Sequence, residues 1–207
     1  MDTRRGAAMT MGMVAAGVEA ALRARAHDYL RDNGTLAPTA AIRRRVTQAF
    51  DNLEKFLRGA EPRHAARRAW PAEWSLHEIA DHVVQTHRPS RAELRELLAG
   101  RRPAGPPIPA SLQSPDPLGR PWAAVLDDLA RVHADIVADL AAVPDDCPTS
   151  VRARVVVVMN AEATDGTSVP LAWEDEIDWK AYAVFLRLHT IDHLNQARKV
   201  LAALAGC

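Results

Sequence analysis

The sequence has few cysteines, no excess of either charge and no long apolar run, and each absence excludes a class of protein. Its two cysteines, Cys147 and Cys207, have neither the spacing of a metal-binding motif nor the number that a disulfide framework needs. We therefore expect a protein of the reducing cytoplasm. Neither thiol has the basic or histidine-rich sequence context of a nucleophile.

The charges balance, because the sequence contains 26 basic and 26 acidic residues. This balance gives no electrostatic support for a nucleic-acid partner. No segment approaches the ~18 consecutive apolar residues of a membrane span. Arg4 and Arg5 are followed by no leucine-rich segment, so we favour a disordered leader over residues 1–13 instead of an export signal. The remainder, 14–207, is predicted to form a single domain.

Apolar residues recur with helical spacing along most of the chain. They predict an N-terminal helix over 14–32 and four main helices that begin near residues 39, 76, 121 and 179. Ser75 and Glu78 form a capping box at the start of the second main helix, and Asp178 can cap the last one. Pro89 is expected to kink the second main helix or to split off a piece over 90–99.

Two segments do not fit a helix. Residues 100–121 contain seven prolines and three glycines, which is typical of a long ordered loop. The β-branched run 152–158, a turn at Asp165–Gly166 and the segment 169–173 predict a small β-hairpin. The predicted fold is therefore an all-α four-helix bundle with an extra N-terminal helix and a small β-hairpin before the last helix.

The last predicted helix carries two histidines, His189 and His193, four residues apart. This spacing places both imidazoles on one face, one turn apart. They share that face with Tyr182, Leu186 and other apolar residues, so they are predicted to point into the bundle. Buried imidazole nitrogens need partners, and a metal ion would satisfy both rings at once.

A third histidine, His82, flanks the apolar stripe of the second main helix. Because sites in bundles are assembled from facing helices, we predict a three-nitrogen site with open positions for water or substrate. The alternative is that these are buried histidines bonded to carbonyls or to Asp192. Thr190 occupies the position of the glutamate in the HExxH motif, which argues against a zinc protease of that class.

Other polar residues near the site have more than one interpretation. Asp192 could orient a ligand imidazole, but spacing alone favours a solvated or helix-capping role. His133 could be a fourth ligand, and a packed, hydrogen-bonded side chain is favoured. His87 borders the core face and could line the mouth of the site, whereas His77 is predicted to lie on the surface.

These residues resemble a known family. The motif residues, in chain order, are Trp74, Ser75, Glu78 and His82, followed by His189, His193 and Gln196. Their spacing is similar to that of the DinB/YfiT-like superfamily of metal-binding four-helix bundles, over roughly residues 40–204. The resemblance implies an up-up-down-down bundle and one divalent metal (Zn, Ni or Fe) held by His82, His189 and His193. Asp192 and Gln196 would lie beside these ligands.

The resemblance also implies a function. Similar proteins include enzymes that transfer a small thiol (mycothiol, bacillithiol or glutathione) to an electrophilic small-molecule substrate. The helix 14–32, the loop 100–121 and the hairpin 152–173 extend beyond the minimal pattern and are expected to shape the pocket.

Three functions are compatible with these residues and with what the resemblance implies. The first is the metal-dependent thiol transferase. The second is a hydrolase that uses metal-bound hydroxide at the same site. The third is a non-catalytic, metal-binding stress-response bundle. The absence of an obvious fourth ligand favours catalysis over a structural zinc site. A homodimer through the extra helix is a further prediction.

Overall fold

The computed structural model describes Ala15 and residues 17–205. The predicted leader, 1–13, lies outside the described residues. The described part of the chain contains six α-helices and two β-strands. The helices are α1 (Val18–Leu30), α2 (Thr39–Gly59), α3 (Pro62–Ala65), α4 (Leu76–Leu98), α5 (Trp122–Ala141) and α6 (Trp179–Ala205), and the strands are β1 (Arg152–Glu162) and β2 (Ser168–Asp178). None of the described helices is both long and apolar enough to cross a membrane.

The two predicted helix caps are confirmed. The Ser75 hydroxyl accepts a hydrogen bond from the backbone N–H of Glu78, while the Glu78 carboxylate accepts one from the backbone N–H of Ser75. Asp178 Oδ1 accepts hydrogen bonds from the N–H groups of Lys180 and Ala181, at 2.9 and 3.1 Å. These interactions satisfy N–H groups that would otherwise be unpaired in the first turns of α4 and α6.

Of the two alternatives predicted at Pro89, a kink or a split, the split is wrong, because α4 continues through Pro89 as one helix. A neighbouring side chain also binds to the backbone at this point, where the Ser90 hydroxyl donates to the Thr86 carbonyl at 2.7 Å. The predicted end of the first helix at Asn33–Gly34 is also displaced. Residues 31–35 continue α1 as a single π-helical turn.

Four helices form the bundle, and each packs against two others: α2 against α5 and α6, and α4 against α5 and α6. The contacts between α4 and α5 advance in the same direction along both helices, from Arg88–Asp128 to Arg91–Asp139. These two helices therefore run in the same direction. The proline-rich connection between them permits this, because it returns the chain along the full length of α4, a helix of 23 residues or about 35 Å.

The other two bundle helices run the opposite way. Arg58 contacts Asp127, and Glu54 contacts His133, so α2 is antiparallel to α5. The Lys180 ammonium donates to the Ala37 carbonyl, which places the start of α6 beside the start of α2. These contacts give an up-down-down-up order instead of the predicted up-up-down-down order.

The predicted hairpin is present, and it is longer than expected. Its two strands have 11 residues each and pair without interruption from Arg152–Asp178 to Glu162–Ser168. The turn contains Gly166 with a φ of 79°, a backbone region that favours glycine. Alternate residues of β1 are buried against the helices, which explains the β-branched run.

Two clusters of buried apolar side chains fill the bundle. The first includes Phe50, Leu94, Ile136 and Leu186, and the second includes Leu53, Val83, Leu129 and Leu194. On α2, α4, α5 and α6 the change from one cluster to the other lies close to a histidine or to Glu54. The bundle therefore contains a polar layer between two apolar halves.

Candidate metal centre

Three imidazoles converge in this polar layer. His82 lies on α4, and His189 and His193 lie one turn apart on the antiparallel helix α6. His189 Nε2 is 3.1 Å from His82 Nε2 and 3.1 Å from His193 Nε2. One nitrogen from each ring lies within 4.8 Å of those of the other two. The structure thus brings together the three histidines that the sequence selected.

The other nitrogen of each ring is held by a neighbour. His82 Nδ1–H donates to the Leu112 carbonyl oxygen at 2.7 Å, and His193 Nδ1–H donates to Gln196 Oε1 at 2.9 Å. Because each neutral imidazole carries one N–H, these bonds leave the Nε2 lone pairs of His82 and His193 free. Both lone pairs face the region beside His189 Nε2. A divalent cation there would be bound by three nitrogen donors, so the residues fit the predicted metal.

Burial keeps these rings neutral. It lowers the pKa of His193 from 6.5 to about 4, and repulsion from His82 acts in the same direction. Burial also lowers the pKa of His82 and holds that of His189 well below its ordinary value. Neutral imidazoles are the form that binds a metal, so the three donors are available without the loss of a proton.

Trp74, the first residue of the sequence motif, packs over the centre. Its ring centroid lies 4.8 Å from that of His82 and 6.1 Å from that of His193. Gln196, the last residue of the motif, binds His193 as described above. No hydrogen bond joins Asp192 to an imidazole within the described residues, and its role in orienting a ligand stays a prediction.

A cleft of about 930 Å³ opens onto the histidines. Its wall includes residues of α1, of the proline-rich loop (108–110) and of β1 (154–160), which are the three extensions that the sequence expected to shape the pocket. His189, His193 and Asp192 all contribute to the wall. Burial raises the pKa of the Asp192 carboxyl. The centre is therefore accessible to a small molecule, whose entry is shaped by parts of the chain outside the bundle.

Three further histidines, His77, His87 and His133, are buried. His133 is packed against Phe50, with ring centroids 3.9 Å apart, and is hydrogen-bonded to Glu54, so the favoured prediction is confirmed. The prediction that His77 lies on the surface is wrong, because it is 4% exposed. It packs beside Trp122 of α5.

His87 is among the residues that line the cleft, so the expectation that it borders the site is confirmed. It is fully buried, and its Nε2 lies 3.1 Å from His189 Nδ1. His87 therefore contacts His189 through the ring nitrogen that does not face His82 and His193. Sequence spacing gave little sign of this, because His82 and His87 are five residues apart and do not share one helix face.

Among the comparisons with known proteins, the structural one finds a similarity and the sequence-based ones do not. No protein-family model matches the sequence, and no curated protein matches it. Among solved structures, one match is YfiT from Bacillus subtilis, described as a probable metal-dependent hydrolase with an unusual four-helix bundle topology. The match has a TM-score of 0.59 and 11% sequence identity, and covers 84% of this chain and 98% of YfiT. The resemblance read from the motif is thus confirmed at the level of the fold, and the chain has the DinB/YfiT-like four-helix-bundle architecture.

Proposed function

We propose that the protein is a metal-dependent hydrolase whose cation is held by His82, His189 and His193. One observation carries this proposal. The Nε2 lone pairs of His82 and His193 both face His189 Nε2, and His189 lies in the wall of an open cleft. A bound Zn, Ni or Fe ion would supply a Lewis acid toward water and toward the substrate. The resemblance in fold to YfiT, a probable metal-dependent hydrolase, supports the same class.

The donor set favours a catalytic over a structural ion. Within the described residues, the cluster contains three histidines and no fourth histidine, cysteine or carboxylate. Structural zinc sites usually have four protein ligands, whereas catalytic sites leave a position open. The cleft provides the space that this open position requires.

Asp192 is the residue that we assign to proton transfer. It lies in the cleft wall next to His193 in sequence, and partial burial raises the pKa of its carboxyl above the ordinary value. Asp192→Asn should therefore leave metal content unchanged while it slows hydrolysis by about 100-fold, the lower end for loss of a general base. Equal loss of metal and activity would assign Asp192 a structural role.

Thiol transfer is the second candidate, and the size of the cleft favours it. At about 930 Å³ the cleft is at the upper end of ligand pockets, large enough for a thiol such as mycothiol, bacillithiol or glutathione beside a small electrophile. In this function the cation would favour the thiolate form of the cosubstrate, and no protein base would be needed.

Turnover of the cobalt-substituted protein separates the two candidates. In both cases a small thiol that reaches the open position should give a near-ultraviolet thiolate-to-cobalt charge-transfer band. A hydrolase should show visible cobalt bands that change with pH, and the thiol should inhibit its turnover, whereas a transferase should turn over only with one of the three thiols. His189→Ala should show none of these responses. If the wild-type protein gives no protein-bound cobalt spectrum at all, both functions are excluded.

A further inference from the structure

We infer that His87, His133 and Glu54 are positioning residues, which form a directed chain of hydrogen bonds from the metal ligand His189 to the surface of α2. This inference rests on the proposed metal site. It assigns a role to two buried histidines and one carboxylate that the donor set itself does not use.

The two ends of the chain are hydrogen-bonded. His189 Nδ1 lies 3.1 Å from His87 Nε2, and His133 Nδ1–H donates to Glu54 Oε1 at 2.7 Å. His87 and His133 are 0% and 2% exposed, whereas the Glu54 side chain is 22% exposed. The chain therefore begins at the centre of the bundle and ends at a carboxylate in contact with solvent.

The middle link is indicated by two unpaired atoms. His87 Nδ1 and His133 Nε2 are both buried and have no hydrogen-bond partner within the described residues. The ring centroids of His87 and His133 are 5.2 Å apart. The hydrogen-bonded rings of His87 and His189 have the same centroid separation, 5.2 Å. The two unpaired nitrogens therefore belong to rings at the separation of a hydrogen-bonded pair, and we assign the middle link of the chain to them, because one can donate the proton that the other accepts.

The positions of the protons follow from the two ends. Metal binding through His189 Nε2 places the proton of that ring on Nδ1, so His87 Nε2 must accept it. His87 then carries its own proton on Nδ1 and needs an acceptor. His133 provides one, because its Nδ1–H is directed to the Glu54 carboxylate and its Nε2 lone pair is free. All three rings thus share one tautomer, with the proton on Nδ1.

Phe50 limits the alternatives. It stacks on His133 at 3.9 Å with an interplanar angle of 8°, and lies 5.5 Å from His87. Because rotation about the Cβ–Cγ bond tilts the imidazole plane, the His133 ring cannot turn far from this stack without a loss of packing. The chain is an extended form of the carboxylate–histidine–metal arrangement, in which an outer carboxylate fixes the ligand ring and increases its basicity.

Nitrogen-15 NMR of the zinc-loaded protein tests the chain directly. Long-range proton–nitrogen correlations distinguish an Nδ1–H from an Nε2–H imidazole. We expect the Nδ1–H form for His189, His87 and His133. An Nε2–H form for His87 or His133 would overturn the inference, even if zinc is bound. Absence of zinc uptake would overturn the proposed function and, with it, this inference.

Variants of Glu54 provide a second test that does not depend on activity. Glu54→Ala should weaken zinc affinity by about 10- to 100-fold, the usual effect of losing an outer partner of a metal ligand. Glu54→Gln, which keeps an oxygen acceptor, should recover most of that affinity. Asp51→Asn is the matched control, because Asp51 is a nearby acid on α2 that interacts with His133 only through its charge. Equal zinc affinities for Glu54→Ala and the wild type would contradict the chain.

Discussion

The carbonyl oxygen of Leu112 lies 2.7 Å from Nδ1 of His82, so the proline-rich connection holds one ring of the candidate metal centre. The same segment binds α4 at two further points. Ser114 N–H donates to Asp81 Oδ2 at 2.8 Å, and Gln113 Nε2 donates to the Glu78 carbonyl at 3.1 Å. The connection is therefore part of the site, in addition to linking two parallel helices.

This attachment predicts a distant effect on metal affinity. Asp81→Ala removes the acceptor of Ser114 N–H and loosens the segment that holds His82. We expect zinc affinity to fall by about 10-fold, with all three ligands still present. Ser114→Ala is the control, since it removes a hydroxyl that has no partner within the described residues but keeps the N–H that Asp81 binds. Chelator competition measures both, and equal losses for the two variants would refute the attachment.

The low pKa of His193 predicts how the stability of the metal-free protein depends on pH. The unfolded chain takes up a proton on this ring below about pH 6.5, whereas the folded protein does so only near 4. The free energy of unfolding must therefore fall as the pH falls through that window. His193 alone should contribute a loss of about 2 kcal/mol by about pH 5.

Urea denaturation at several pH values measures this loss. His189 and His82 act in the same direction, because burial lowers the pKa of both. His193→Gln should show a smaller decrease with falling pH than the wild type. A free energy of unfolding that stays constant from neutral pH to about pH 5 would contradict the neutral, buried state of these rings.

A close backbone contact predicts the effect of one glycine substitution. A Cβ atom added at Gly34, in the π-helical turn, would lie 2.7 Å from the Ala181 Cα atom at the start of α6. Because the backbone cannot easily move away, Gly34→Ala should destabilise the fold by about 1–3 kcal/mol. Gly59→Ala is the matched control, since a Cβ there meets nothing within 4 Å, and it should be neutral or slightly stabilising. Equal stabilities of the two variants would contradict this packing.

The parts that the sequence predicted correctly depend on local spacing. The pair His189 and His193, the capping box of Ser75 and Glu78, and the cap at Asp178 are each set within one or two helical turns. His82 was identified because it flanks an apolar stripe and completes a known motif. Each of these features is visible in the sequence as a helical period or as residues at a fixed spacing.

The parts that the sequence missed depend on packing between distant segments. His87 supports His189, a residue of another helix, and the partner of His82 is a backbone carbonyl that no side-chain pattern identifies. The direction of α5 relative to α4 follows from the path of the connection between them, which prolines and glycines alone do not define. Such relationships exist only between segments that the fold brings together.

The metal content of the purified protein tests the central claim most directly. After zinc loading and removal of free ions, the wild type should retain about one zinc per chain. His189→Ala should retain much less, because it loses the Nε2 atom that lies close to both His82 and His193. His27→Ala is the control, since His27 is an exposed residue of α1 that pairs with Asp175. It should retain as much zinc as the wild type. Absence of stoichiometric zinc in the wild type, or equal retention by His189→Ala, would contradict a three-histidine metal centre.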